Sequence, residues 1–376
     1  MLLSEKLDKT RLMVEGASAA QKPPGEQSEA AGQAYQCPRC GGRLVYDAGQ
    51  TQLSCEYCGF TQDSNPAPAA GDSEQVMDFV LPTTRAHLWA ASQQRVTCAA
   101  CGAVTLLPAG QTADHCPYCA SNRFVRSEEM SELIDPQSIC LMRLDAREAA
   151  QRAQEWLGKG WLSPDDLASS KVKLEPAYYP FWTFSGTLEL PWSCEVNEGS
   201  SKYPHWVARN GSEFKFFDEI LVSGMRSMSS EETSSIEPFD LKELAEFKPD
   251  YLAGWTALTY DYPMSDASLR ARERVMRKMN RSLYNIVEPG REKRNLEGRG
   301  GKWSGMTFKY VLLPLWVGAY QHKGKTYRVL VNGQTGKVGG SKPTDASKAA
   351  ILAVGGMLIL GIILVIIYLL WLQFGK

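Results

Sequence analysis

The chain has 376 residues, of which 44% are hydrophobic and 22% charged, with 41 basic residues set against 42 acidic ones for a net charge of −1. This length accommodates two or three domains with a sizeable core. The charge balance excludes a protein drawn as a whole toward nucleic acid or lipid, so any charge-driven function must reside in a local cluster.

Residues 1–34 form a flexible N-terminal segment. The first sixteen carry Glu5, Lys6, Asp8, Lys9, Arg11 and Glu15 without a long apolar core, which does not read as a secretory signal. The stretch from 16 to 34 is rich in Ala, Gln, Gly and Pro, the composition of a linker. Ten cysteines follow, and eight of them fall into four Cys-x-x-Cys pairs. In the absence of a secretory signal, these read as reduced, metal-holding thiols rather than disulfides.

The first module, 35–62, contains Cys37, Cys40, Cys55 and Cys58. A linker spans 63–95. The second module, 96–123, contains Cys98, Cys101, Cys116 and Cys119. Fourteen residues separate the two pairs in each module, and the second set repeats the first 61 positions later. Gly41 recurs as Gly102, Tyr57 as Tyr118, and Ala48-Gly49-Gln50-Thr51 as Ala109-Gly110-Gln111-Thr112, so the module is duplicated. Each Cys-x-x-Cys turn aims two thiolates at one point, and two turns complete a closed tetrahedral site. The spacing therefore predicts two zinc ribbons, each a hairpin with Ala-Gly-Gln-Thr at its turn and one structural Zn²⁺. The metal supplies on the order of 10 kcal/mol to modules that have little core. A redox dithiol, an iron–sulfur cluster or a rubredoxin-type iron site is the alternative. His115 beside Cys116 is read as a surface histidine. Arg39 and Arg43 are offset by Asp47 and Glu56 in the first ribbon, so a nucleic-acid face is unsupported by charge.

Residues 124–345 read as a central α+β domain with antiparallel strands, giving a multidomain α+β fold. Asp145-x-x-Glu148 starts a helix closed by Gly158, and Ser163-Pro164-Asp165-Asp166 starts a short one. Trp182, Phe184, Leu188, Leu190, Trp192, Cys194 and Val196 all fall on even positions with polar residues between several of them, the period of a strand with one buried face. Cys194 is accordingly a packing thiol. Residues 251–260 and 308–320 are further predicted strands, and Asn332-Gly333-Gln334-Thr335-Gly336 is a hairpin turn. Pro180-x-Trp182 and Pro314-x-Trp316 hint at a second internal repeat.

Residues 270–302 hold eleven basic and four acidic side chains, a local net of +7. Leu269, Met276, Met279, Leu283 and Ile286 predict a helix with a buried stripe, leaving Arg270, Arg274, Arg277, Lys278 and Arg281 largely outward. That face is solvated, answered by the net −5 of residues 231–250, or docks on anionic lipid or an acidic partner. Finally, residues 351–372 contain no charge and span roughly 33 Å as a helix, the thickness of a bilayer core. A transmembrane helix over 349–372, with Tyr368 and Trp371 in the interfacial belt, predicts a tail-anchored single-pass protein of the cell membrane with its bulk in the cytoplasm.

No catalytic motif stands out. His87, His115, His205 and His322 are scattered, there is no Gly-x-Ser-x-Gly, and Gly318 with Gly324-Lys325-Thr326 has the wrong gap and context for a phosphate loop. Gly298-Arg299-Gly300-Gly301 lacks the third glycine of a dinucleotide fingerprint. No catalytic or cofactor-binding residue is assigned, and no enzyme is expected.

The order of parts resembles the bacterial TFIIB-type zinc-ribbon membrane proteins of the YdjG kind, often mislabelled after the primosomal helicase. The resemblance rests on the cysteine modules, Tyr179-Pro180-Phe181-Trp182, Tyr251-Leu252-Ala253-Gly254-Trp255, Leu313-Pro314-Leu315-Trp316, the 331–337 turn and the terminal apolar segment. It implies a membrane adaptor found alongside phage-shock-protein-A-like and SPFH/flotillin-like membrane-stress proteins. The functional expectation is a non-enzymatic adaptor, whose partners are the bilayer and such proteins. A membrane-tethered nucleic-acid binder is the alternative.

Overall fold

The computed structural model describes residues 36–63, 74–77, 93–108, 116–119, 121–127, 134–170 and 172–374. The N-terminal segment, His87, His115 and the second Ala-Gly-Gln-Thr turn lie outside them, as do the side chains of Tyr368 and Trp371.

The first cysteine module is a three-stranded antiparallel sheet of β1 (Leu44–Asp47), β2 (Gln52–Cys55) and β3 (Thr61–Asp63), with residues 48–51 at the predicted turn. Every other strand among the described residues joins one 13-stranded sheet. β4 (Gln75–Val76) pairs with the later strand at Thr307 and Phe308. Just before it, Glu74 accepts hydrogen bonds from Ser185 Oγ at 3.2 Å and Thr307 Oγ1 at 2.7 Å. Part of the 63–95 stretch read as linker is thus built into the sheet. β5 (Gln93–Cys98), β6 (Val104–Pro108) and β7 (Phe124–Ser127) belong to the second cysteine module. β8 (Ser138–Ile139) precedes α1 (Ala146–Gly158). The Asp145 side chain caps α1 by accepting from Glu148 N at 2.7 Å, as the sequence predicts.

The spine is β9 (Lys173–Asn197), which folds back as β10 (Trp206–Ser223). Then come α2 (Ser230–Ile236), β11 (Ala245–Glu246), β12 (Thr256–Thr259), α3 (Met264–Ile286) and β13 (Lys293–Gly298). β14 (Lys302–His322), β15 (Lys325–Asn332), β16 (Val338–Gly340) and α4 (Ala346–Phe374) complete the chain. The strand expected over 251–260 is only four residues long. Pro249–Leu252 forms a 3-10 turn instead, with proline's fixed φ placed at its start.

The hint of a second repeat is realised in space. β9 and β14 run antiparallel with Tyr179 opposite Leu313, so Pro180 and Pro314 sit symmetrically about that pair. Pro180 O accepts from Gly224 N at 2.8 Å, and Pro314 O from Gly333 N at 2.9 Å. Gly224 O in turn accepts from Asp261 N and Tyr262 N, and Gly333 O from Arg143 N and Leu144 N. Trp182 Nε1 donates to Tyr262 O and Trp316 Nε1 to Leu144 O. A Cβ on either glycine would lie 3.0–3.1 Å from the facing proline, which is why both positions are glycine. Each half is therefore built on a βαββ unit, β8-α1-β9-β10 and β12-α3-β14-β15, the second with β13 inserted between α3 and β14. The halves exchange their first strands, for β8 runs parallel to β14 and β12 parallel to β9.

Side chains alternate across this central pair. Tyr178, Trp182, Phe184, Tyr310, Leu312 and Trp316 face one hydrophobic layer, while Tyr179, Phe181, Val311, Leu313 and Leu315 face another. The middle of β9 is thus buried on both faces, and the period-two pattern describes only its distal half. There Leu188, Leu190, Cys194 and Val196 pack under α3, with Cys194 in its expected packing role. The buried stripe of α3 is Ala267, Ala271, Val275, Met279 and Leu283, at four-residue steps. Leu269 and Ile286, assigned to that stripe from sequence, are exposed. Small alanines allow close approach to the sheet, a contact that a hydrophobicity pattern weighted to large residues overlooks.

Candidate metal centres

Four knuckles build two sites. In the first, Gly41 N donates to Cys37 O at 2.8 Å, Arg39 N to Cys37 Sγ at 3.4 Å, and Gly42 N to Cys40 Sγ at 3.4 Å. Gly59 N closes the partner knuckle on Cys55 O at 3.0 Å, and Gly102 N closes the third on Cys98 O at 2.9 Å. Gly41, Gly59 and Gly102 all take positive φ, from +67° to +76°, so the residue after each of these cysteine pairs must turn left-handed.

The knuckles bring the thiols together as two groups of four. Cys37 Sγ lies 3.5 Å from Cys58 Sγ, and Cys40 Sγ 3.5 Å from Cys55 Sγ. In the second group, Cys98 pairs with Cys119 and Cys101 with Cys116, both at 3.7 Å. All four ligand atoms of each group lie within 4.8 Å of one another. Thiolates about 2.3 Å from a common tetrahedral centre stand roughly 3.8 Å apart, so each group fits one metal ion with no position left open. In each group one thiol is shifted down while another is shifted up. The Cys101 thiol hydrogen-bonded to Cys116 holds the latter down at about 5, while the same contact pushes Cys101 up. The backbone N–H of Cys58 lowers Cys55 to about 7. A cation that replaces the shared protons relieves the crowding of like charges that keeps the other thiols protonated.

The two centres sit on opposite faces of the central strands. Leu44, Tyr46 and Leu53 of the first join the hydrophobic layer that contains Trp182. Tyr46 packs edge-on against Tyr251 at 5.0 Å, Tyr46 N donates to Ala253 O, and Trp255 Nε1 to Tyr46 O at 3.0 Å. The second is not a free-standing module. β6 pairs with β12, and Cys98, Cys116 and Tyr118 enter the opposite layer. Tyr118, between the last two ligands, donates to Ser227 O at 2.8 Å and lies under the Arg328 guanidinium at 4.3 Å. Arg328 also pairs with Glu232 at 2.6 Å. Burial raises the Tyr118 phenol well above its usual range. Its repeat mate Tyr57 is 78% exposed, whereas Tyr118 is 1% exposed. Sequence reasoning paired these tyrosines but gave no sign of their different surroundings, because Ser227, Glu232 and Arg328 are remote in the chain.

The basic segment also takes shape. Arg274, read as outward, is held by Glu237 through two contacts, one of 2.7 Å, and donates to Leu221 O at 2.8 Å. Here the acidic stretch does answer the basic one. Beyond this pair, Arg277, Lys278 and Arg281 line one wall of an open cleft of about 780 Å³, with Ser230, Glu231 and Ser234 of α2 on the other. α4 is long and apolar enough to cross a membrane, and none of its most apolar window is buried.

The chain is 25% identical over 327 residues to the uncharacterized protein YdjG of Bacillus subtilis (strain 168), an alignment covering 84% of this chain and 92% of that protein. No family model matches the chain. No solved structure matches it.

Proposed function

We propose that the protein is a non-enzymatic membrane adaptor, held at the bilayer by α4 and presenting its first four-cysteine ribbon and its basic cleft to protein partners on the cytoplasmic side. The metal in both centres is zinc, for which four thiolates in a closed tetrahedron are a preferred set, and the modules are ribbons of the TFIIB type. Closed coordination gives the ions a structural role. The observation that carries the reading is the contrast at the duplicated tyrosine: Tyr118 is sealed into the core, while Tyr57 stands in solvent on its knuckle, its ring against Gly42. An exposed aromatic on a preorganised turn is the kind of residue that anchors an interface. The cleft supports an acidic protein segment over a lipid surface. Leu221, which Arg274 touches, is level with Thr183 and Lys309 in the sheet, thirteen residues along β14 from the His322 turn beside which α4 starts. At about 3.3 Å per residue that is roughly 40 Å of strand, several times the roughly 8 Å Debye length at physiological salt. The partners implied by the resemblance, phage-shock-protein-A-like and SPFH/flotillin-like proteins, are the first to test.

The test is affinity capture of the detergent-solubilised full chain from its native membranes, with and without Tyr57→Ala. The expected result is a defined set of membrane-associated proteins that is lost in the variant while zinc remains at two ions per chain. Capture of nucleic acid in place of proteins, or a capture profile indifferent to Tyr57, overturns the reading.

A further inference from the structure

Where α4 leaves the folded domain, the chain places two apolar side chains in solvent. Trp161 is 65% exposed and Leu162 37%. They occupy the corner of a tight turn, closed by Ser163 N donating to Gly160 O at 3.0 Å, with Gly160 at φ +118°. Corner positions of turns usually carry polar residues, since they meet water. This turn is fastened to the root of α4. Asp345 N donates to Leu162 O at 2.8 Å, and Lys348 Nζ donates to Ser163 O at 2.9 Å while pairing with Asp165 at 2.5 Å. Lys342 secures the other side, donating to Lys159 O at 2.6 Å and lying 4.0 Å above the Trp156 ring. His322 faces Asp166 at 3.5 Å, which brings the β14–β15 turn with exposed Lys323 and Lys325 to the same end of the domain. Lys159 is exposed as well.

We infer that the 160–163 turn is a second membrane contact: Trp161 and Leu162 insert into the interfacial layer of the bilayer that α4 enters, ringed by Lys159, Lys323 and Lys325 against anionic headgroups. This rests on the reading of α4 as the membrane anchor. The chemistry fits the interface on three counts. Tryptophan partitions to the headgroup level, where one part of its ring is apolar and its N–H finds a polar partner. Each basic side chain near an anionic surface adds to the attraction. The hydrogen bonds from Asp345 and Lys348 fix the turn relative to the helix, so the anchor itself delivers it to the surface. The consequence is orientation. A single helix alone leaves a domain free to swing, whereas a second contact holds the sheet, the first ribbon and the basic cleft at fixed heights above the membrane.

The test is site-specific photo-crosslinking of the full chain reconstituted in vesicles of phosphatidylcholine with phosphatidylglycerol, with p-benzoylphenylalanine placed one position at a time. Trp161→p-benzoylphenylalanine is the probe, Leu162→p-benzoylphenylalanine repeats it at a neighbouring position, Leu358 within α4 is the membrane control, and exposed Phe214 on β10 is the solvent control. Lipid adducts at 161 or 162 and at 358, with none at 214, are expected, together with at least a twofold lower yield at 161 in vesicles lacking phosphatidylglycerol. Adducts at 358 but at neither 161 nor 162 overturn the second contact while leaving the anchor intact. Absence of lipid adducts at all of these positions overturns both. Equal lipid adducts at 161 and 214 overturn the inference by showing indiscriminate contact.

Discussion

The two cysteine clusters began as copies of one module and ended in different trades. They keep the same ligand spacing and the same left-handed glycine after their first knuckle, and they bury sulfur on opposite faces of the same pair of strands. The first keeps its own three-stranded sheet and touches the core through Val45, Tyr46 and their contacts with Tyr251 and Gly254. The second has surrendered its independence, its strands extending the main sheet through β12 and its last knuckle plugging the layer around Phe181. Duplication thus supplied two equally closed four-thiol clusters, and packing built one into the main sheet while leaving Tyr57 on the other's knuckle in solvent.

The largest difference is expected on removing a site. Cys98→Ser with Cys101→Ser should unfold the central domain, because metal worth on the order of 10 kcal/mol then no longer holds residues that the main sheet depends on. Cys37→Ser with Cys40→Ser should lower bound zinc from two ions per chain to about one and leave the central sheet cooperative. Metal analysis with circular dichroism of the solubilised chain checks both. Equal losses of structure would show that the first ribbon is as integral as the second, and iron in place of zinc would reopen the identity of the metal.

Next comes the tyrosine pair. Tyr118→Ala empties a fully buried ring site and takes the ring from under Arg328, which keeps Glu232 as its partner, and should cost about 3–5 kcal/mol in chemical denaturation. Tyr57→Ala alters a solvent-exposed ring and should shift stability by less than about 0.5 kcal/mol. If the two variants are equally destabilised, the exposed knuckle is packed against something and is not a free surface.

How much of this was legible depends on whether the signal is local. Ligand spacing, the knuckle glycines and the Ala-Gly-Gln-Thr turn are short-range chemistry, so the two thiol clusters and the first hairpin could be read directly. The Asp145 cap and the apolar run of α4 are legible for the same reason. The Pro-x-Trp echo was a faint trace of the βαββ duplication, since the equivalence of Gly224 with Gly333 and of Tyr262 with Leu144 is carried by backbone hydrogen bonds that place little demand on side-chain identity. The α3 stripe was misread because alanine carries the contact. The fate of the second ribbon was illegible, because nothing within residues 96–123 says that β12 will offer an edge to β6.

The smallest contrast is expected on the basic face of α3, where two arginines one helical turn apart again divide between structure and contact. Arg274 is inside: its side chain is 30% exposed and its guanidinium bridges Glu237 and the Leu221 carbonyl. Its removal leaves a half-buried carboxylate and a carbonyl without their charged donor, so Arg274→Ala should destabilise by about 1.5 kcal/mol or more. Lys278 and Arg281 are on the cleft wall, and neither forms an ion pair among the described residues. Among the described residues Arg277 forms its ion pair with Glu273 one turn away, an exposed contact worth about 0.3–0.5 kcal/mol. Reversing Arg277, Lys278 and Arg281 to Glu should therefore change stability by less than about 1 kcal/mol in total, while turning the cleft from attracting to repelling an acidic segment. Co-purification of partners should fall in the triple variant, and the parent's retention of those partners should weaken as salt is raised, since exposed charges are screened beyond a Debye length of roughly 8 Å at physiological ionic strength. Retention that is insensitive both to salt and to charge reversal would leave the cleft as a solvated surface, and would shift the weight of partner recognition onto Tyr57 alone.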